Sequence, residues 1–474
     1  MKIAIFSLGP IFNGHVHGGS QKALRDIAVG LGNKGNKIVI YCPKREDNKD
    51  EFNLSDNVRV KPIIPLKGSF PAPYEVGPYR LYKSCEILYN ELKDYDLLYL
   101  HDGQLNIEFL KGIIPTVISL RDFCYTETLL GAINFNQSDI IVNSMHTYQC
   151  LLDSFARINS NINKSNVHLI YNGYNYNHFV KKEITNEFYV HTKLPKKGDY
   201  KVMGFPHRPD LDKGFVEAIE TIHLLKDKNI NVKLLIPEYM DKDCSSRANE
   251  TYNIVNNLIN KYDLKDNIIF HNWVSHDLMP EYYSYCDAIL CVGNFCEAFS
   301  NVSMESLLCE THVVATNTTT YRTMEIRKYL NIADYGDVNQ MADICEKILM
   351  NHDNDLSAAR KLIKTNYTIE KCVEQYENVF ENAIRRFKKS EQKSIDLNNF
   401  NNYDERSVYH LAPWCYYLKN DIYDDYLHAI RNDNLDGIFK TNDRLSIRKM
   451  IELGVSKERI ISAIDDGVIL KEWS

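Results

Sequence analysis

No two of the 12 cysteines stand in a C-x-x-C pair, which excludes the usual zinc-ribbon and thioredoxin-type arrangements. Several of them (Cys42, Cys150, Cys291, Cys345) sit inside apolar runs. They read as reduced core thiols of a cytoplasmic protein, not as a disulfide framework. No run of about 18 apolar residues occurs, so no membrane span is expected. No polybasic amphipathic face marks a membrane surface either, although peripheral membrane contact stays open. There is no excess of base. The net charge is −7 and lysines and arginines are mixed with acids, so nucleic acid is not an expected partner. The short apolar segment Met1–Pro10 ends at Gly-Pro and reads as a strand, not a signal peptide.

The 474 residues, 44% hydrophobic and 25% charged, are too many for one core, so two domains and an addition are expected. Apolar runs at Ile3–Leu8, Lys37–Tyr41, Leu97–Leu100, Thr116–Leu120, Ile140–Asn143 and His168–Tyr171 alternate with helical patterns. A second alternating series starts after about residue 185, with strands at Tyr200–Phe205, Val232–Ile236, Ile268–Phe270, Ala288–Val292 and Val313–Ala315. Strands alternating with helices imply parallel sheets wrapped on both faces. Two such sheets make a cleft, and ligands sit at the carboxyl ends of their strands. The boundaries expected are 1–185, 186–366 and 390–474, with a long amphipathic helix over 367–389 crossing back to the first domain. The last part reads as mostly helical. Its Asp-rich piece Asp421–Asp436 reads as solvated helix surface, because no EF-hand spacing is present.

Two segments carry chemistry. Glu297 and Glu305 lie eight positions apart across a strand–loop–helix junction, with Ser300 and Asn301 between them. A helix N-terminus there offers free N–H groups to phosphate, and the carboxylates accept hydrogen bonds from hydroxyls. Upstream, Gly204–Gly214 places Arg208 and Lys213 in a loop after a strand and before a helix. Two fixed cations in that position can hold a diphosphate. Asp94-Tyr95-Asp96 and Asp210-Leu211-Asp212 are D-x-D strings, but the first precedes a strand when a metal site needs it at a strand's end. His15 and His17 have no further ligands at hand, so no metal is assigned.

These segments, together with Gly18-Gly19, Tyr95–His101, Ser138–Ser144, Ile170–Gly173 and Phe179, resemble glycosyltransferase family four, over about residues 1–390. The resemblance implies a GT-B fold: two Rossmann-like doubly wound domains facing a cleft, acceptor in the first and nucleotide-diphospho-sugar in the second. It implies a retaining transferase without cofactor, with a UDP-sugar favoured over a GDP-sugar as donor and a glycan-type acceptor. Arg208 and Lys213 would neutralise the diphosphate. Glu297 would contact the transferred sugar, and Glu305 the ribose. Backbone amides of Ser300, Asn301 and Val302 would cap the phosphates, which Gly18 and Gly19 let the first domain approach.

Arg121 stands where many members carry a histidine, with Asp122 beside it. Asp122 is a candidate to orient a sugar. His17, Tyr74, His101 and Arg121 are candidates for the acceptor side. The C-terminal part lies outside the resemblance and is a candidate interaction or homo-oligomerisation module. The alternatives are a GT-B epimerase or pseudo-glycosyltransferase, and a non-catalytic sugar-nucleotide-binding subunit of a partner enzyme.

Overall fold

The structure is a computed structural model. It describes residues 1–16, 18–66, 77–103, 107, 110, 112–121, 126–135, 138–155, 164–239, 246–350, 355–387, 403, 405–425 and 429–472. Three candidate residues, His17, Tyr74 and Asp122, lie outside the described residues.

Eight strands form the first sheet: β1 (Lys2–Ser7), β2 (Lys37–Pro43), β3 (Phe52–Ser55), β4 (Val58–Ile64), β5 (Leu97–His101), β6 (Thr116–Leu120), β7 (Asp139–Val142) and β8 (Val167–Leu169). Their order is β3-β4-β2-β1-β5-β6-β7-β8. All neighbours run parallel except β3, which pairs antiparallel with β4 at the edge. The central strands are mostly apolar; β5 and β6 are buried at every residue. A strand covered on both faces shows no alternation, which is why these runs were legible.

The second sheet holds β9 (Lys201–Gly204), β10 (Val232–Pro237), β11 (Ile268–His271), β12 (Ala288–Cys291), β13 (His312–Thr316) and β14 (Asn331–Ala333). Its order, β11-β10-β9-β12-β13-β14, is doubly wound and wholly parallel. In each sheet the chain reverses its direction of winding once, between β1 and β5 and between β9 and β12. Such switch points open crevices at the strand ends. The sequence pattern did not give β3, β4 or β14, which are short or carry mixed polarity.

The chain passes between the domains twice. Tyr174 and Thr368 form a parallel bridge, with the Tyr174 amide donating to the Tyr367 carbonyl at 2.9 Å and the Ile369 amide to the Tyr174 carbonyl at 3.2 Å. The helix Ile369–Arg386, capped by Thr368, then lies on the first domain. Its apolar stripe of Cys372, Val373, Tyr376, Val379 and Phe380 shares a core with Ile3, Ile5, Leu24 and Ile27. Gly173 makes this crossing possible, since a Cβ there would sit 2.5 Å from the Ile369 Cα.

The expected mostly helical extension is corrected: it is a small mixed α+β module. The strands β15 (Val408–Leu411), β16 (Cys415–Leu418), β17 (Asp421–Asp424), β18 (Ala429–Ile430), β19 (Leu445–Ser446) and β20 (Ile469–Lys471) build two three-stranded sheets. Short helices span Ile447–Glu452 and Lys457–Asp465. A two-residue turn at Lys419-Asn420, with Lys419 at φ +59°, joins β16 to β17. Strands of two to four residues give too little period-two signal to read in advance. The Asp-rich piece is likewise no helix surface. Asp424 is buried against Arg431 Nε at 3.1 Å, and Asp433 and Asp436 accept from Arg459 at 2.7 and 2.8 Å. The module has its own apolar core around Tyr409, Ile422, Leu435 and Ile460. It meets the first domain where the Tyr79 hydroxyl donates to the Ile464 carbonyl at 2.7 Å.

Replacing Gly173 with alanine is expected to force the two crossing strands apart and to cost about 1–3 kcal/mol, the usual range for overpacking. A lowered midpoint of chemical unfolding checks this; an unchanged midpoint would show that the crossing tolerates separation.

Candidate functional site

The crevices of the two switch points face each other across one cavity of about 400 Å³. From the first domain it is lined by Gly18 and the helix turn Gly19–Lys22, with Asp102, Arg121, Asn143 and Asn172. From the second come Arg208, Asp210 and Lys213 after β9, and Phe295, Glu297 and Ser300–Val302 after β12, with Glu305 one turn further on. An aromatic end holds Tyr239, His271, Trp273 and His276.

The loop after β9 is fixed by backbone contact. Asp210 caps a short turn at Leu211–Lys213 through its Oδ1, which accepts from the Asp212 amide at 3.3 Å. Gly214 follows at φ +94°, and the loop packs so closely on Gly293 that a Cβ on Gly214 would strike the Gly293 backbone and a Cβ on Gly293 the backbone of Asp212 and Lys213. Lys213 therefore emerges at a set place. Its Nζ pairs with Glu297 Oε1 and lies 3.6 Å from the Phe295 ring centre. Arg208 covers the same ring at 5.3 Å and approaches Asp210 at 3.5 Å. Phe295 thus holds both cations over one aromatic face, where the ring quadrupole favours them. A lone phenylalanine between a strand and a glutamate gave no sign of this.

The helix Asn301–Leu308 starts at the cavity wall. Ser300 caps it, accepting from the Ser303 amide at 3.3 Å while its hydroxyl meets Tyr321 at 2.7 Å. The side chain of Asn301 spans the cleft. Its Oδ1 accepts from Asn172 Nδ2 at 3.0 Å and from the Tyr174 hydroxyl at 2.6 Å, and its Nδ2 donates to the Gly19 carbonyl at 3.4 Å. A Cβ on Gly19 would lie 2.8 Å from that amide nitrogen. The glycine there admits a side chain of the facing domain.

Glu305 is buried and accepts from the Tyr283 hydroxyl at 2.8 Å. Lys22, from the first domain, reaches it at 3.5 Å and pairs with Asp26 at 2.8 Å. Burial raises the Glu305 carboxyl above its ordinary range, against the pull of Lys22 and Tyr283. Burial also works against the Lys22 ammonium, but Asp26 and Glu305 outweigh it and the net shift is upward. Lys22 was not foreseen. In sequence it is one more polar residue on an amphipathic helix, and only the tertiary fold sets it against a carboxylate 283 positions away.

One expectation in the first domain is corrected. The first helix begins at Gly19 with Gly18 as its cap, and Ser20 lies in its first turn. The Ser20 hydroxyl donates to Asp102 Oδ2 at 2.7 Å and touches His101 Nε2 at 3.0 Å. His101 does not reach the cavity. It is buried, its Nδ1 meets the Tyr99 hydroxyl at 2.9 Å, and burial and Arg121 hold it well below the ordinary histidine pKa. The next residue, Asp102, lines the cavity in its place, in the left-handed region at φ +63°. A non-glycine residue held there is strained, as residues at functional sites often are. Its signal was the Asp-Gly pair at the end of β5. Arg121 does line the cavity and is buried, donating to Asn172 Oδ1 at 2.5 Å. Among the described residues, no group of three or more His, Cys, Asp or Glu is placed to hold a metal ion.

Comparison with known proteins agrees with this architecture. Residues 186–368 match the family model described as Glycosyl transferases group 1. No curated protein matches the chain. Among solved structures the chain is similar to sucrose-phosphate synthase from Thermosynechococcus elongatus, at 18% identity over 81% of this chain and 99% of that one, TM-score 0.65. It is similar to a glycosyltransferase from Rickettsia africae, at 15% identity over 81% and 99%, TM-score 0.62. It is also similar to Anabaena HepE in complex with UDP, at 17% identity over 81% and 100%, TM-score 0.58. The fold is GT-B, two Rossmann-like domains about a cleft, and the resemblance holds at the level of the group 1 glycosyl transferases.

Two outcomes follow from these geometries. Removing one partner of the buried pair, by Lys22→Met or Glu305→Gln, is expected to cost about 3–5 kcal/mol. The double variant should recover part of that, and a double-mutant cycle on unfolding checks the coupling; additive losses would refute it. Secondly, His207, His271 and His276 are each pushed down to about 4, chiefly by burial. The folded state thus takes up fewer protons than the unfolded chain between about pH 4 and 6.5, and stability falls as the pH is lowered through that window. Unfolding midpoints against pH should show this slope, reduced in His271→Gln; a flat profile would contradict neutral burial.

Proposed function

We propose that the chain is a retaining glycosyltransferase that moves a sugar from a nucleoside-diphosphate donor to an acceptor hydroxyl. The second domain takes the donor and the first the acceptor. One observation carries the reading. Arg208, Lys213, Glu297, Glu305 and the start of the helix Asn301–Leu308 meet in a single cavity between two doubly wound sheets. The likeness to a structure solved with UDP supports a uridine nucleotide as donor. The aromatic end at Tyr239, His271 and Trp273 suits a flat base.

The chemistry follows from charge. The bond between the sugar C1 and the diphosphate oxygen breaks, the sugar becomes oxocarbenium-like, and the departing diphosphate gains negative charge. Arg208, Lys213 and the free amides of Asn301 and Val302 stand ready for that charge before the reaction starts, so they lower the barrier without reorganising. They supply the positive charge the leaving group needs, and the reading requires no metal. The departing phosphate oxygen takes the proton of the acceptor hydroxyl as that hydroxyl attacks from the same face, and the configuration at C1 is retained. Glu297, held by Lys213, is placed to accept from hydroxyls of the transferred sugar. Glu305, whose Oε1 has Lys22 at 3.5 Å and no hydrogen-bond partner among the described residues, would accept from the ribose. The ribose would then bear on the Lys22–Glu305 pair that joins the domains, linking donor binding to closure and to exclusion of water.

The reading is tested by thermal unfolding with UDP, GDP, ADP and TDP. One nucleotide should stabilise the protein selectively, by about 2.7 kcal/mol at a hundredfold excess over its Kd. Arg208→Ala and Glu305→Ala should abolish that shift, and Lys213→Ala should lower turnover by about 10²–10³-fold. No stabilisation by any of the four would sink the donor assignment.

A further inference from the structure

Four adjacent strands of the first sheet, β5 to β8, each deliver one polar residue to the cavity from the carboxyl end: Asp102, Arg121, Asn143 and Asn172. All four are nine-tenths or more buried. Three of them carry a buried polar atom with no hydrogen-bond partner among the described residues: Asp102 Oδ1, Arg121 Nη1 and Asn143 Oδ1. Native proteins rarely leave such atoms orphaned; water or a ligand satisfies them. Among the described residues no carboxylate lies within ion-pair distance of Arg121, whose only side-chain hydrogen bond is to the Asn172 amide oxygen. The other Asp102 oxygen is taken by Ser20.

We propose that this row is a subsite for an acidic sugar, a sugar unit bearing a carboxylate or phosphate that pairs with Arg121 while its hydroxyls donate to Asp102 and Asn143. The composition of the row argues for this class. A buried, half-paired guanidinium calls for an anion. A bare diphosphate would be repelled by the free oxygens of Asp102 and Asn143, which need donors. A ligand carrying both an anionic group and hydroxyls satisfies all three atoms and gives Arg121 a charge-assisted partner that a neutral sugar does not. The diphosphate has its own cations, Arg208 and Lys213, on the facing domain. The inference rests on the transferase reading for what fills the rest of the cavity. The acid can enter on the transferred sugar of the donor or on the acceptor.

The experiment measures affinity in two arms by calorimetry. One arm compares UDP-glucuronate with UDP-glucose. The other compares glucose 6-phosphate and glucuronate with glucose, in the presence of saturating UDP. In at least one arm the wild type should prefer the acidic ligand about ten- to a hundredfold, the span of one charge-assisted hydrogen bond. Arg121→Met should lose the preference while still binding UDP, Arg121→Lys should keep part of it, and Asp102→Asn should raise it. The arm that responds names the source of the acid. Equal affinity for acidic and neutral ligands in both arms would overturn the proposal. So would an Arg121→Met variant that weakens UDP itself as much as the sugar nucleotide, since that would assign Arg121 to the diphosphate. If UDP fails to bind, the donor reading falls for uridine. The second arm, repeated without nucleotide, then decides the acidic subsite alone: preference sustains it and equal affinity overturns it.

Discussion

One amide side chain ties the two domains together at the cavity, beside the Lys22–Glu305 pair. Asn301 stands at the first turn of a helix in the second domain and bonds to Asn172, Tyr174 and the Gly19 carbonyl. Arg121 continues the line by donating to Asn172. A helix N-terminus, the crossing segment, the glycine loop and the end of β6 are therefore set relative to one another by four hydrogen bonds. Each has constraints of its own. Gly19 must lack a Cβ to admit the amide, and Gly173 must lack one to let Ile369 pass. Without these close approaches the two crevices would not face a common cavity.

The charges in that cavity are largely paired in advance. Lys213 holds Glu297, and Lys22 bridges Asp26 and Glu305. Buried ions are costly unless paired, so the protein keeps its cations and carboxylates in mutual contact. The exceptions are informative. Arg121 and Asp102 influence each other's charge but do not pair. The histidines stay neutral: His207 adds no positive charge beside Lys213, and His271 and His276 add none at the aromatic end of the cavity.

The extension is a separate structural matter. It has its own apolar core and touches the first domain at Tyr79, whose ring fills the space beside Gly467 and whose hydroxyl meets Ile464. Asp424, Asp433 and Asp436 are neutralised by its own arginines, Arg431 and Arg459. The Asp-rich composition that drew attention in the sequence is thus an internal ion-pair network.

The sequence by itself determined the two parallel sheets, because strands buried on both faces are written as unbroken apolar runs such as Leu97–Leu100 and Ala288–Val292. It also determined the group around Arg208, Lys213, Glu297 and Glu305, whose loops follow those strands directly. It could not yield Lys22, Phe295, Asp102 or the bonds of the Asn301 side chain. Lys22 and Glu305 are 283 positions apart, and no local period relates them. Nor could it show that His101 turns away from the cavity while Asp102 turns in, because a strained backbone at φ +63° decides which of two neighbours faces the cavity. Local pattern fixes which segments become strands and helices. The facing of residues across a cleft depends on how two separately folded sheets are joined, and that is decided only in the tertiary structure.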